Sequence, residues 1–469
     1  MELPLPTAPQ LAWQKNEIMA LIHFNMATFF QNGDPGCDAA NWAQSSKPAS
    51  FAPARLNVSN WIESMHALGV QEAVRATSLP TVPGRSAVCM LAQVLTAKHG
   101  CGFLLWNTST RLPSGAPYTY HVPPELNVLQ QFSEAMEAAN LGHGFYYSLT
   151  NNYYLNVRGH YVQNGTLLPG QQKLTQAEFE ALALAQVTEL WTRFGALNEI
   201  WFDGGYTTDM KTGLQTLLKA KQPGAVGMNG GGISPNPVRW SKTEGDVPPG
   251  PGAATAPGYG PGPEVWSTGC NDVDWGASVP PEKCADPSAA FFYPSGTDYT
   301  LQSGDTWFFE PAAQRKETEA NTLRTLDELI YTYHNTVGHN TVLELDFAID
   351  RNGLLQEDHA RLYKRFGDWR RACYDESLAE AATVASAAQG ESGATAVAQV
   401  SLGAGGQVFD RVVLTEDQTK GQKVRGWLAE WTTDPYCSRQ QNCSWTRFGN
   451  GSSIGKVVML SRSACCPPR

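Results

Sequence analysis

From Glu17 to about Cys373 the chain alternates short apolar runs with stretches whose apolar residues recur every three to four positions. Met19–Phe24 (MALIHF) is a continuous apolar run of strand length. Trp61, Ile62, Met65 and Leu68 then fall at helical spacing, and Gly69 is placed to end that helix. Val94–Ala97 reads as the next strand. Leu129, Phe132, Met136 and Ala139 repeat at helix period after Asn127, a candidate N-cap. Gly144–Leu149 (GFYYSL) is a third strand. Thr175-Gln-Ala-Glu178 is a capping box, in which the Thr and Glu side chains satisfy each other's backbone N–H, and it opens a helix to about Phe194. Glu199–Phe202 and Val226–Asn229 are strands flanking a helix over Leu214–Ala220. Strands over Val265–Ser267 and Trp307–Phe309 follow, then a helix over Thr318–Val337, a strand over Thr341–Asp346 and a helix over Glu357–Arg371.

Strand–helix alternation sustained over this length predicts a parallel sheet, and about eight repeats predict a closed, irregular (β/α)8 TIM-like barrel. A doubly wound open sheet is the competing architecture, but no GxGxxG follows the first strand. Two segments break the rhythm. Gly245–Pro263 is so rich in Pro and Gly that it must be a loop. Arg75–Gln93 stands where a short turn should be and reads as an insertion. Beyond Ala379 small residues and β-formers take over, and Phe409–Leu414 and Val424–Trp431 read as strands of a sandwich. The predicted division is a barrel over 1–377, with an insertion at 75–93 and a loop at 245–263, then an incomplete β-sandwich over 378–469. A sandwich stopping at Cys466-Pro-Pro-Arg469 would leave an open strand edge.

Composition narrows the function classes. No apolar run approaches the ~20 residues of a membrane span. The net charge of −10 comes with no basic stripe, which argues against nucleic acid, where binding rests on phosphate neutralisation. Ten cysteines occur without CxxC pairs or His/Cys zinc spacing, so disulfides are expected rather than a metal. Asn-x-Ser/Thr sequons begin at Asn57, Asn107, Asn164, Asn442 and Asn450. Cysteines and sequons together point to an oxidising destination: secreted, or lysosomal or vacuolar. Met1–Pro9 nevertheless lacks the charged and apolar regions of a signal peptide. Fourteen Trp and sixteen Tyr suit core packing and equally the apolar faces of sugar rings.

Barrel enzymes carry their reacting groups at the C-terminal ends of the strands. There the sequence places His23, Lys98-His99, Tyr146 and Tyr147, Trp201-Phe202-Asp203-Gly204-Gly205, then Arg239, Trp240 and Glu244, with Trp307 on a seventh strand. Singly these are ordinary: His23 fits a core histidine and Asp203-Gly204 a turn. Two carboxylates, two histidines, an arginine and several aromatics at one end form a set suited to a sugar. Glycoside hydrolysis requires two carboxyls, one attacking the anomeric carbon and one protonating the leaving oxygen. A metal-dependent hydrolase built on His23, His99 and Asp203 is a competing reading, disfavoured because strand one offers His-Phe-Asn rather than His-x-His.

At these residues the sequence resembles the α-L-fucosidases of glycoside hydrolase family 29. The resemblance runs through ALIHFNMATFF, VLTAKHGCGFLLW, GFYYSL, EIWFDGG, VRWSKTEG and YHNTVGHNTVLELDFAIDRNGLL, in that order, with FDRVVLTEDQTKGQKVRGW resembling the start of the family's sandwich. It implies a retaining exo-glycosidase that removes terminal α-L-fucosyl residues, with Asp203 as nucleophile. It implies His23, His99, Tyr147, Trp201 and Trp307 as sugar contacts, joined by Trp42, Trp106 and Arg239. In the branch acting on α1,3/1,4-linked fucose the acid/base follows an Arg-Trp pair, which selects Glu244; Glu264, Asp272 and Asp274 are alternatives. No cofactor or metal is implied. The expected partners are fucosylated oligosaccharides or glycoproteins, with neither nucleic acid nor membrane, and a homo-oligomer stays open. Three departures stand out: Gly100 replaces a second histidine after His99, Arg75–Gln93 is inserted, and the sandwich is cut short. They make a catalytically impaired fucose-binding protein the second expectation.

Overall fold

The computed structural model describes residues 3–30, 37–70, 92–240, 267, 291–302, 306–311, 323–378, 383–386, 396–402, 407–434 and 443–461. Eight parallel strands close into a barrel: β1 (Ile18–His23), β2 (Ala92–Lys98), β3 (Gly142–Tyr147), β4 (Glu199–Trp201), β5 (Val226–Met228), β6 (Pro237–Trp240), β7 (Ser295–Tyr299) and β8 (Thr341–Ala348). Each strand pairs with the next in sequence, and β8 returns to β1 with Ile18 opposite Leu343 and His23 opposite Ala348. This is the expected (β/α)8 architecture.

Among the described residues, the helices longer than one turn are α1 (Ala8–Gln14), α2 (Val58–Leu68), α3 (Val128–Ala138), α4 (Gln176–Arg193), α5 (Thr208–Lys221), α6 (Leu326–Thr336) and α7 (Glu357–Tyr374). Their ends follow local chemistry. Gly69 takes the left-handed conformation (φ +95°) and its N–H caps the C-terminus of α2. Thr175 and Glu178 form the expected capping box at α4. Asn127 precedes α3 without a side-chain capping bond, so that helix is held by packing of Leu129, Phe132 and Met136 instead.

Because side chains alternate along a strand, each strand feeds two cores. On β1, Ile18, Ala20 and Ile22 pack outward against the helices, whereas Met19 and Leu21 pack inside the barrel. Each such buried aliphatic side chain contributes about 1.5–3 kcal/mol relative to exposure. The inner core is closed from below by Trp13 of α1, a helix fixed by Gln10, which donates to the Pro237 and Phe292 carbonyls at 2.7 and 3.1 Å.

Four sequence expectations change or fall outside this description. Trp307–Phe309 is not a strand; the seventh strand is Ser295–Tyr299 (SGTDY), and Trp307 lies on the loop that follows it. The polar SGTDY run escaped a hydrophobicity search because it satisfies its side chains inside the fold: Ser295 bonds Thr341 at 2.8 Å and Asp298 accepts the Trp240 indole N–H at 2.9 Å. The segment 75–91, the loop 245–263 and residues 265–266 of the expected strand Val265–Ser267 lie outside the described residues, Ser267 itself is not in a strand, and Ala92 and Gln93 belong to β2.

After α7 the described strands form antiparallel pairs, as a β-sandwich requires: Thr383–Ser386 with Ala396–Gln399, Arg411–Leu414 with Val458–Ser461, and Trp427–Trp431 with Thr446–Gly451. Val413 and Leu428 stay 45% and 44% exposed on this sandwich-like part, in contrast to the sealed barrel. A disulfide joins Cys37, after β1, to Cys101, after β2, and Cys373 and Cys443 are also disulfide-bonded. Among the described residues no helix is long and apolar enough to cross a membrane.

Candidate active site

Asp203 sits two residues beyond the last residue of β4, where the chain turns sharply. Gly204 and Gly205 both adopt positive φ (+65° and +81°), and a Cβ on Gly204 would lie 2.4 Å from Thr150 Oγ1. Only glycine fits that turn. The turn is clamped from two sides: Thr150 Oγ1 donates to the Asp203 carbonyl at 2.7 Å, and His160 Nε2 lies 3.0 Å from the Gly204 carbonyl. The Asp203 carboxylate is left half-buried at the barrel mouth, with the Tyr146 hydroxyl donating to its Oδ2 at 2.6 Å.

Around it the strand ends converge as aromatic and imidazole rings. His99 stacks on Tyr146 (5.5 Å between centroids, 23°) and meets Phe308 edge-on at 4.9 Å. His23 lies 5.1 Å from Trp307 and 6.3 Å from His99. On the far side of Tyr146, Trp201 stacks at 5.9 Å, and Trp240 meets Trp201 at 5.3 Å. The mouth is thus one carboxylate set among flat faces and two imidazoles.

Burial sets the charges. It lowers His23 well below the usual imidazole range, with His99 adding to the effect, and Nδ1 of the neutral ring lies 2.8 Å from Asp346 Oδ1 as its donor. Burial lowers His99 to about 4 despite the opposing pull of Asp203, so it is neutral at pH 7. Lys98 is pushed down to about 7 by burial, partly offset by Asp203, and its ammonium donates to the Ser148 and Asn151 carbonyls. Neutral imidazoles each offer one donor and one acceptor, which suits sugar hydroxyls.

The structure therefore brings together Asp203, His23, His99, Trp201 and Trp307. It does not bring the other expected residues to them. Tyr147 points to the outer core, where its hydroxyl donates to Gln186 at 2.6 Å. Trp42 donates to the Pro169 carbonyl at 2.9 Å, and Trp106 to Glu189 at 3.0 Å, both rings buried in the outer core. Arg239 is buried on the opposite face of β6 from Val238 and Trp240, beside Tyr293, and burial lowers it to about 10. Glu244, with Glu264, Asp272 and Asp274, lies outside the described residues. Among the described residues no group of three His, Cys, Asp or Glu is placed to hold a metal. Sequence reasoning passed over Tyr146 as a ligand of Asp203, although the parity of β3 could have found it: Gly144 and Tyr146 share one face, and Tyr147 takes the other.

A family model, Alpha-L-fucosidase, matches residues 92–232, the stretch from β2 through the Asp203 turn to the loop after β5. Alpha-L-fucosidase 1 of Arabidopsis thaliana is 25% identical over 400 residues, covering 81% of this chain. The chain is similar to the α-L-fucosidase family, whose model it matches over residues 92–232. It spans 63% of the length of that plant relative. Solved structures of α-L-fucosidases share the fold. A Ruminococcus gnavus GH29 fucosidase in complex with fucose superposes with a TM-score of 0.68 at 18% identity, covering 99% of this chain and 91% of its own. Alpha-L-fucosidase isoenzyme 1 of Paenibacillus thiaminolyticus gives 0.56 at 16% identity, covering 97% and 99%.

Proposed function

We propose that this chain is a retaining exo-glycosidase that releases terminal α-L-fucosyl residues from glycans or glycoproteins. The observation that carries the reading is Asp203 itself: a carboxylate aimed by a glycine-dependent turn and a 2.6 Å Tyr146 hydrogen bond into a ring-lined barrel mouth. Asp203 attacks the anomeric carbon, the bond to the aglycone oxygen breaks, and that oxygen takes the proton of a second carboxyl. Glu244 is our assignment for the second carboxyl. Its carboxylate then removes a proton from water, which opens the glycosyl ester and frees fucose.

His23 and His99 would bond the sugar hydroxyls, and Trp201 and Trp307 would cover the apolar ring face, together with Phe308, whose ring suits the methyl group of a 6-deoxy sugar. The Arg239-Trp240 pair four residues before Glu244 supports α1,3/1,4-linked fucose as the substrate. The disulfides support a secretory destination. We place the boundary between the catalytic barrel and the sandwich at 377/378.

The test is hydrolysis of an aryl α-L-fucoside by the wild type and by Asp203→Gly, with the anomer released read by NMR. The wild type should release α-L-fucose first, and the variant should lose at least a thousandfold in kcat while still binding fucose. Turnover by the variant at the wild-type rate removes Asp203 from the mechanism.

A further inference from the structure

Directly beneath the proposed site, the barrel interior holds acids where an apolar core would be simpler. Glu199 on β4 and Glu344 on β8 face each other across the barrel, both with no more than 1% exposure. Glu199 Oε2 accepts the Trp13 indole N–H at 2.7 Å, and Glu344 Oε2 accepts the Trp201 indole N–H at 3.0 Å. The remaining oxygens, both Oε1 atoms, are buried with no hydrogen-bond partner among the described residues, and the charge of Glu199 acts on Glu344. Two buried carboxyls that feel each other's charge titrate as a pair rather than singly. Burial raises both carboxyls, and the negative charge of Asp298 on β7, which holds the Trp240 indole, raises Glu344 further. Above the pair, Asp346 on β8 is engaged with His23.

A pair of buried acids is an expensive way to fill space, because each carboxyl loses its hydration. What it adds is direction. The Glu344 carboxyl fixes the rotation of the Trp201 ring; Trp201 stacks on Tyr146, and Tyr146 holds Asp203. We propose that Glu344 is a positioning residue: acting through the Trp201 indole it sets the aim of the Tyr146–Asp203 pair. This rests on Asp203 being the nucleophile. Leucine at 344 would pack but would leave the indole N–H without an acceptor.

The experiment compares kcat and KM for an aryl α-L-fucoside in the wild type, Glu344→Gln and Glu344→Leu, with Glu344→Met as a second apolar variant, and repeats the set in a Trp201→Phe background. Glutamine keeps a carbonyl that can accept from Trp201, so Glu344→Gln should keep kcat/KM within about twofold. The apolar variants should lose about tenfold, mostly in kcat, because misaim costs the transition state more than the ground state. In the Trp201→Phe background the apolar variants should add no more than about twofold, since the route through the indole is already gone. A lower Tm with kcat/KM unchanged, or the same tenfold loss without Trp201, overturns the proposal. Should the wild type fail to hydrolyse the fucoside, the functional reading falls separately. The positioning claim is then read from the Trp201 indole N–H resonance, which should hold in Glu344→Gln and move in the apolar variants; an unmoved resonance overturns it.

Discussion

Tyr146 and Tyr147 are neighbours in sequence, equally buried and equally hydrogen-bonded, yet they face opposite sides of β3, and this makes them a matched pair for testing the site. Tyr146→Phe removes one oxygen, the donor 2.6 Å from Asp203 Oδ2. A hydrogen bond to a charged group contributes about 1.5–3 kcal/mol, which converts to roughly 10- to 150-fold at ~1.4 kcal/mol per decade. Part of that is lost equally from ground and transition states, and the Asp203 charge is partly spent as the new bond forms. The lower end, about tenfold in kcat/KM, is therefore expected. Tyr147→Phe removes the donor to Gln186, which is fully buried in the outer core. That variant should lose about 1 kcal/mol of stability and less than twofold in kcat/KM. The assay is steady-state hydrolysis of an aryl α-L-fucoside at a temperature well below both melting points, with Tm measured in parallel. If Tyr147→Phe loses more activity than Tyr146→Phe at matched folded fraction, the assignment of faces, and with it the geometry of the site, is wrong.

Two further outcomes follow from the same geometry. Gly204→Ala puts a side chain at φ +65° and a methyl 2.4 Å from Thr150 Oγ1, so it should lose about 1–3 kcal/mol of stability and at least tenfold in kcat/KM as the Asp203 turn opens; unchanged kcat/KM would show that this turn does not aim Asp203. Burial raises Glu199 from 4.5 to about 7, so between those pH values the native barrel holds a proton the unfolded chain has released, and stability falls as pH rises. Glu199→Gln removes that titration, so its Tm relative to wild type should improve steadily from pH 4.5 to pH 7, and a difference independent of pH across that window refutes the assignment.

The sequence alone determined the features written in neighbouring residues. Apolar runs of β1 and β8, the helical spacing of α2 and α3, the Gly69 stop and the Thr175–Glu178 capping box are all set within a few positions of one another. So is the turn that exposes Asp203, because its two glycines follow it directly. Closure of the barrel decided the rest. Which of Tyr146 and Tyr147 enters the mouth is a matter of strand parity fixed by pairing with β2 and β4. His23 meets Asp346 across 323 positions, and Trp13 meets Glu199 across 186. The SGTDY strand looks like a loop until its polar side chains find partners on β6 and β8. Trp42, Trp106 and Arg239 matched a pattern in one dimension, but the fold turned each of them into the outer layer. A hydrophobic period is a local property of the chain, whereas the partner that makes a buried polar group affordable can come from anywhere along it, and only the tertiary fold selects it.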